Sequence, residues 1–138
     1  MMIKYFDATG ISKRNSNIST TEVEVASGAK IRILDLNLDE VLWAECVLYV
    51  HINRVNQKCY IGATINSASY RFENGRGYKG QKAFSAAIRY HGWDAFTPHI
   101  IAFADSKEQL DEIEVEAINF VGGHHHQTHN PHQALVKH

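Results

Sequence analysis

The sequence predicts an α/β fold in which a small three-stranded antiparallel sheet is flanked by helices, with an N-terminal extension that adds a hairpin. Three observations carry this. Residues 47–53 and 58–64 are two β-prone runs around Asn56-Gln57, which reads as a hairpin. A further β-prone run spans 96–103. Two segments, beginning at 81 and at 106, carry apolar residues at helical spacing instead.

Taken in order, residues 1–20 are polar and rich in Ser and Asn, the composition of a tail or loop. Glu22-Val23-Glu24-Val25 and Ile31-Arg32-Ile33-Leu34 alternate around the turn-like Ala26–Ala29, a second hairpin. Leu38 to Trp43 fits a short helical turn leading into the 47–53 strand. With Asn56 and Gln57 as the two turn residues, Tyr49 falls opposite Thr64. Tyr49, Tyr60 and Gly62 then project from one face, because side chains alternate along a strand. Asn66 or Ser67 caps a short helix reaching about Glu73. Gly75, Gly77 and Gly80 mark a loop, and Ala83, Phe84, Ala87 and Ile88 define a helix that stops at Gly92. Ser106-Lys107-Glu108-Gln109 has the form of a capping box opening a helix over 106–121.

Composition narrows the function classes. The 138 residues suffice for one core, and 44% apolar with 21% charged residues is ordinary for a globular chain. Cys46 and Cys59 are too few for a disulfide framework and read as small packed residues. No apolar run approaches membrane length, and the N-terminus lacks a signal-peptide core, so a cytoplasmic protein without a membrane partner is expected. The net charge of −1 conceals an asymmetry. Arg71, Arg76, Lys79, Lys82 and Arg89 face a single acid, Glu73, between positions 71 and 89, whereas 105–116 carries six acids against Lys107. That division predicts a charged working face.

One residue breaks its pattern. The 106–121 helix presents Leu110, Ile113, Ala117, Ile118 and Val121 as an apolar stripe, and Glu114 belongs to that stripe. A carboxylate so placed must be paired, protonated or bound to a cation, since an isolated buried charge is very costly. It is therefore a candidate metal ligand or acid/base group; the alternatives are a buried salt bridge and a stripe-edge residue reaching solvent.

These residues together resemble the GIY-YIG nuclease family over roughly Val47 to Val121. Val47-Leu48-Tyr49 and Tyr60-Ile61-Gly62 match the two name-giving motifs, with the tyrosine kept and the first glycine replaced. Arg71, nine residues past Gly62, matches the family's arginine, and Glu114 its metal-binding glutamate. Asn74–Lys79 and Tyr90–Phe96 look like segments of phage-type and homing-type members. The resemblance divides the chain into an N-terminal extension of unassigned role (1–45), a nuclease-like domain (46–122) and a histidine-rich tail (123–138).

The resemblance implies a DNA endonuclease of phage or mobile-element type, working in a bacterial cytoplasm and hydrolysing phosphodiester bonds with Mg2+ or Mn2+. Tyr49, Tyr60, Arg71, Glu114 and Tyr78 are the implied catalytic residues, with Glu114 the metal ligand. Tyr78, or alternatively His91, substitutes for a group that the family often carries where this chain has Gly75. Either Tyr49 or Tyr60 orients or deprotonates the water. A phenol is a weak base at neutral pH, so cationic help from His51 or Lys58 is expected. Arg76, Lys79, Lys82 and Arg89 are assigned to DNA phosphates. So short a chain has little room for a separate DNA-reading region, which leaves two alternatives: a compact stand-alone nuclease, or one that borrows targeting from a partner. The competing reading is a non-cleaving nucleic-acid-binding module on the same scaffold. His124, His125, His126, His129 and His132 carry no accompanying cysteine and read as a solvated tail rather than a zinc site.

Overall fold

A computed structural model describes residues 5–73, 75 and 81–122. The described residues form an α/β structure with two three-stranded sheets and four α-helices. In chain order the strands are β1 (Tyr5–Phe6), β2 (Thr20–Glu24), β3 (Lys30–Leu34), β4 (Val47–Asn53), β5 (Cys59–Thr64) and β6 (Phe96–Phe103). The helices are α1 (Leu38–Trp43), α2 (Ala68–Phe72), α3 (Lys82–His91) and α4 (Lys107–Gly122).

The central sheet has the order β5-β4-β6 and is antiparallel throughout. β4 is buried along its whole length, because it lies between its two partners and is covered on both faces. Leu48, Val50, Ile52, Ile61 and Ile101 point to one face, where the α4 stripe packs on them. Each such aliphatic side chain contributes about 1.5–3 kcal/mol when fully buried. The other face carries Val47, Tyr49, Tyr60 and Ile100 under Val41 of α1, Ala68 and Phe72 of α2, and Phe84 of α3. Tyr49 pairs with Ile100 but Leu48 with Ala102, so Ile101 is an inserted residue, which turns it toward the α4 side.

The expected two-residue turn is not formed. The loop holds four residues, 54–57, closed by Asn53 N–H donating to the Lys58 carbonyl (2.8 Å) and Gln57 N–H to the Asn53 carbonyl (2.7 Å). A tight turn would need φ > 0 at both Asn56 and Gln57; here only Gln57 takes it, at 67°. The side-chain oxygens of Asn53 and Asn56 accept from the N–H groups of Val55 and Lys58 and so satisfy the longer loop. Tyr49 consequently lies opposite Gly62 rather than Thr64. The register moves by two, so the parity survives and both tyrosines keep one face.

From Tyr5 onward the polar N-terminal segment, expected as a tail or loop, packs into the fold. β1 runs parallel to β3, β2 antiparallel to it, and together they form the second sheet, β1-β3-β2. Val25, Ala29, Ile31 and Ile33 share the α4-side core with the central sheet. Between β1 and β2, two turns of 3-10 helix (Thr9–Ile11 and Lys13–Asn17) bury Ser12 and Asn15. The Asn15 amide donates to the Phe103 carbonyl (3.1 Å) and accepts from the Phe103 N–H (2.9 Å). It thereby substitutes for a neighbouring strand at the end of β6. Polar composition suggested solvent; the amide instead matches the donor and acceptor of a backbone unit.

Asn37 and Glu40 form a capping box on α1, and Ser67 caps α2 through the Tyr70 N–H. α3 ends at Gly92, whose φ of 88° favours glycine. Ser106 accepts from the Gln109 N–H at the start of α4, while the Gln109 side chain returns to the Asp105 N–H. Cys59 is buried and Cys46 half-buried, both as free thiols.

Candidate active site

Strand alternation aligns Tyr49 and His51 on β4 with Tyr60, Gly62 and Thr64 on β5. Gly62 has a specific task. A Cβ there would stand 2.5 Å from the Tyr49 Oη and 2.7 Å from its Cζ, so the phenol lies directly across the glycine. The Tyr49 ring meets Phe72 edge-on at 5.1 Å and His51 at 5.2 Å. Tyr60 stacks on Phe84 at 4.3 Å and turns an edge contact to Phe96. Both tyrosines are buried, at 2% and 4% exposure.

His51 sits at the centre of this layer, with the rings of Phe72, Phe84 and Trp93 at 4.4, 5.4 and 5.2 Å. Its burial, then the positive charge of Arg71, then His99, push its pKa down to about 3. His51 is thus a neutral imidazole at physiological pH, and the cationic assistance expected from it is not available. The physical reason is desolvation, which penalises the charged form. Arg71 is half-buried on α2, one residue before Phe72, close enough for its charge to act on His51. Burial likewise raises the Tyr60 phenol to about 12, with the Cys59 thiol adding to the effect. Tyr60 is therefore held as a neutral hydroxyl and not poised as phenolate.

Glu114 is 3% exposed and lines a cleft of about 650 Å³. One wall is α4, with Lys107, Leu110 and Asp111; the other is the end of β5 and the residues after it, Ala63 to Asn66. Thr64 links the two regions, for it lies in the cleft wall and follows Gly62 on the tyrosine face. Lys107 bonds Asp111 at 2.8 Å, and that bond, with the further charge of Glu108 and Glu114, raises its pKa. The residues lining the cleft bring oxygen-bearing side chains: Glu114, Glu112, Asp111 with Lys107 on it, and Thr64, whose hydroxyl bonds the Asn66 backbone. Such a set fits a hard cation that keeps much of its water, which magnesium does. Among the described residues no group of three or more His, Cys, Asp or Glu is placed to hold a metal ion.

The described residues therefore bring Tyr49, Tyr60, His51 and the charge of Arg71 into one aromatic layer, whereas Glu114 lines a cleft on α4, which packs on the opposite face of the sheet, and Tyr49, Tyr60 and Arg71 are not among the residues lining that cleft. Lys82 and Arg89 are exposed on α3, and Arg89 donates to the Ser85 hydroxyl at 3.0 Å. Tyr78, Arg76 and Lys79 lie outside the described residues, as does the histidine-rich tail. His51, expected only as a source of supporting charge, lies two residues beyond Tyr49 on β4 and so shares its face. No helix among the described residues is long and apolar enough to cross a membrane. No protein-family model matches the chain, and comparison with curated proteins and with solved structures gives no match either.

Proposed function

We propose that this protein is a divalent-metal-dependent DNA endonuclease of the GIY-YIG type, of phage or mobile-element character. The observation that carries the reading is Glu114. It is an acid on an otherwise apolar helical stripe, buried, yet lining an open cleft with other oxygen donors.

In this reading Glu114 would hold Mg2+ or Mn2+, which would supply Lewis-acid stabilisation of charge on the phosphate and the leaving oxygen. Arg71, whose guanidinium cannot lose its charge, donates to nonbridging phosphate oxygens as negative charge builds there. Tyr60, held neutral by burial, orients the attacking water by hydrogen bonding and does not deprotonate it. Tyr49 is fixed across Gly62 for the same layer. Tyr78 belongs to the proposed catalytic set on sequence grounds. Lys82 and Arg89, with Arg76 and Lys79, hold the DNA backbone, and a partner supplies targeting.

The second reading, a nucleic-acid-binding module without cleavage, is favoured by one observation: burial pushes the His51 pKa down to about 3 and the Tyr60 phenol up to about 12, so the imidazole is too weakly basic and the phenol stays protonated at pH 7. Supercoiled plasmid incubated with magnesium or with chelator separates the two. Magnesium-dependent nicking supports the endonuclease; salt-sensitive retention of DNA without nicking supports the module.

A further inference from the structure

The outward face of α3 has a composition that its packing does not explain. Phe84 is the buried anchor of this helix. The exposed positions are Lys82, Ala86, Arg89 and Tyr90, which recur at helical spacing and form one stripe. No acid occurs in the helix. Small side chains, Ser85 and Ala86, separate the two cations, which lie about 10 Å apart along the axis at 1.5 Å per residue. Ser85 holds the Arg89 guanidinium at 3.0 Å, which reduces the freedom it must lose on binding. At the end of the stripe Tyr90 is 85% exposed, the most exposed large apolar side chain among the described residues. Its ring meets His91 edge-to-face, with centroids 4.7 Å apart.

We infer that this stripe binds nucleic acid with unpaired bases, Lys82 and Arg89 tracking the phosphates while the Tyr90 ring stacks on an unstacked base. The inference rests on the nuclease reading and narrows its substrate class to gapped, branched or single-stranded DNA. The occupant follows from charge and shape together. Two cations without an acid select a polyanion. An exposed phenol ring beside them adds a π-face, and this pairing of cationic track and aromatic platform suits single strands. A continuous duplex hides its base faces within the stack, so Tyr90 engages only where a base is free. Salt-dependent backbone contact alone would leave an 85% exposed ring without a partner.

The test measures fluorescence anisotropy with the full chain, without divalent metal, on three probes: a paired duplex, the same duplex with a short gap, and one free strand. Wild type should prefer the gapped and single-stranded probes by roughly tenfold, the scale of one base–aromatic stack. Tyr90→Ala should erase that preference while leaving affinity for the paired duplex within about twofold, and Tyr90→Phe should restore it, since stacking needs the ring and not the hydroxyl. An unchanged melting temperature is expected of both variants, given the exposure of the side chain. Equal wild-type affinity for all probes overturns the inference, as does a Tyr90→Ala loss shared equally by paired and gapped DNA. Tyr90-dependent dimerisation in sedimentation would give the face to a second copy and also overturn it. Plasmid nicking run in parallel separates the two levels. Nicking without a gap preference removes the Tyr90 assignment and leaves the nuclease, whereas loss of nicking and of all DNA binding removes both.

Discussion

Gly62→Ala is expected to damage the protein through one atom. The added methyl would stand 2.5 Å from the Tyr49 Oη and 2.7 Å from Cζ, where nonbonded heavy atoms ordinarily keep about 3.5 Å or more. Tyr49 must therefore move by about 1 Å. A surface tyrosine would do so freely, but this ring is 2% exposed and meets Phe72 and His51 at 5.1 and 5.2 Å. Overpacking of this kind costs about 1–3 kcal/mol. Replacing glycine in extended backbone offsets about 0.4–1 kcal/mol of that through the unfolded chain. A net loss of about 1–2 kcal/mol follows, or roughly 4–8 °C in melting temperature for a domain of this size. The decisive assay is a double-mutant cycle with Tyr49→Leu, which removes the obstructing atoms. In the Leu background, Gly62→Ala should cost less than about 0.5 kcal/mol, giving a coupling of about 1 kcal/mol. Nicking provides a second readout: if Tyr49 takes part in the chemistry, a 1 Å displacement should slow cleavage on the order of a hundredfold even where the variant is folded. An equal thermal penalty in both backgrounds would refute the close approach of Tyr49 to Gly62.

Three further outcomes are expected. Glu114→Ala should reduce magnesium-dependent nicking by roughly a thousandfold or more, at about 1.4 kcal/mol per decade, with gel-shift affinity retained; near-normal cutting by the folded variant would dismiss Glu114 as the ligand. His51 has a folded pKa of about 3 against 6.5 unfolded, so the unfolded chain binds a proton that the native state excludes. Its contribution is therefore complete above pH 6.5 and declines as pH falls toward 3, on the order of 1 kcal/mol per pH unit. Urea midpoints across that range should fall less steeply for His51→Leu, and parallel curves would show that His51 does not carry the effect. Asn15→Leu should strand the Phe103 N–H and carbonyl, costing about 1–3 kcal/mol and exposing a strand end; a melting temperature equal to wild type would mean that the amide pairing is dispensable.

Local pattern was sufficient wherever the physics is local. The periodicity of 106–121 announces both α4 and the anomaly of Glu114; Ser106 announces the start of α4, and of the two cap candidates Asn66 and Ser67 the structure uses Ser67. Alternation places Tyr49 and Tyr60 on one face although the loop is longer than the two-residue turn the sequence predicts, because four residues move the register by an even number. Other features depended on partners distant in the chain. The Asn15 amide is indistinguishable from any polar loop residue until β6 brings Phe103 beside it, 88 residues away. The neutrality of His51 and of Tyr60 follows from water excluded by Phe72, Phe84, Trp93 and Phe96, side chains contributed by α2, α3, the turn after α3 and β6. Sequence supplies the titratable group and its face; only tertiary packing decides its dielectric surroundings, because desolvation sums over every atom that the fold gathers around it.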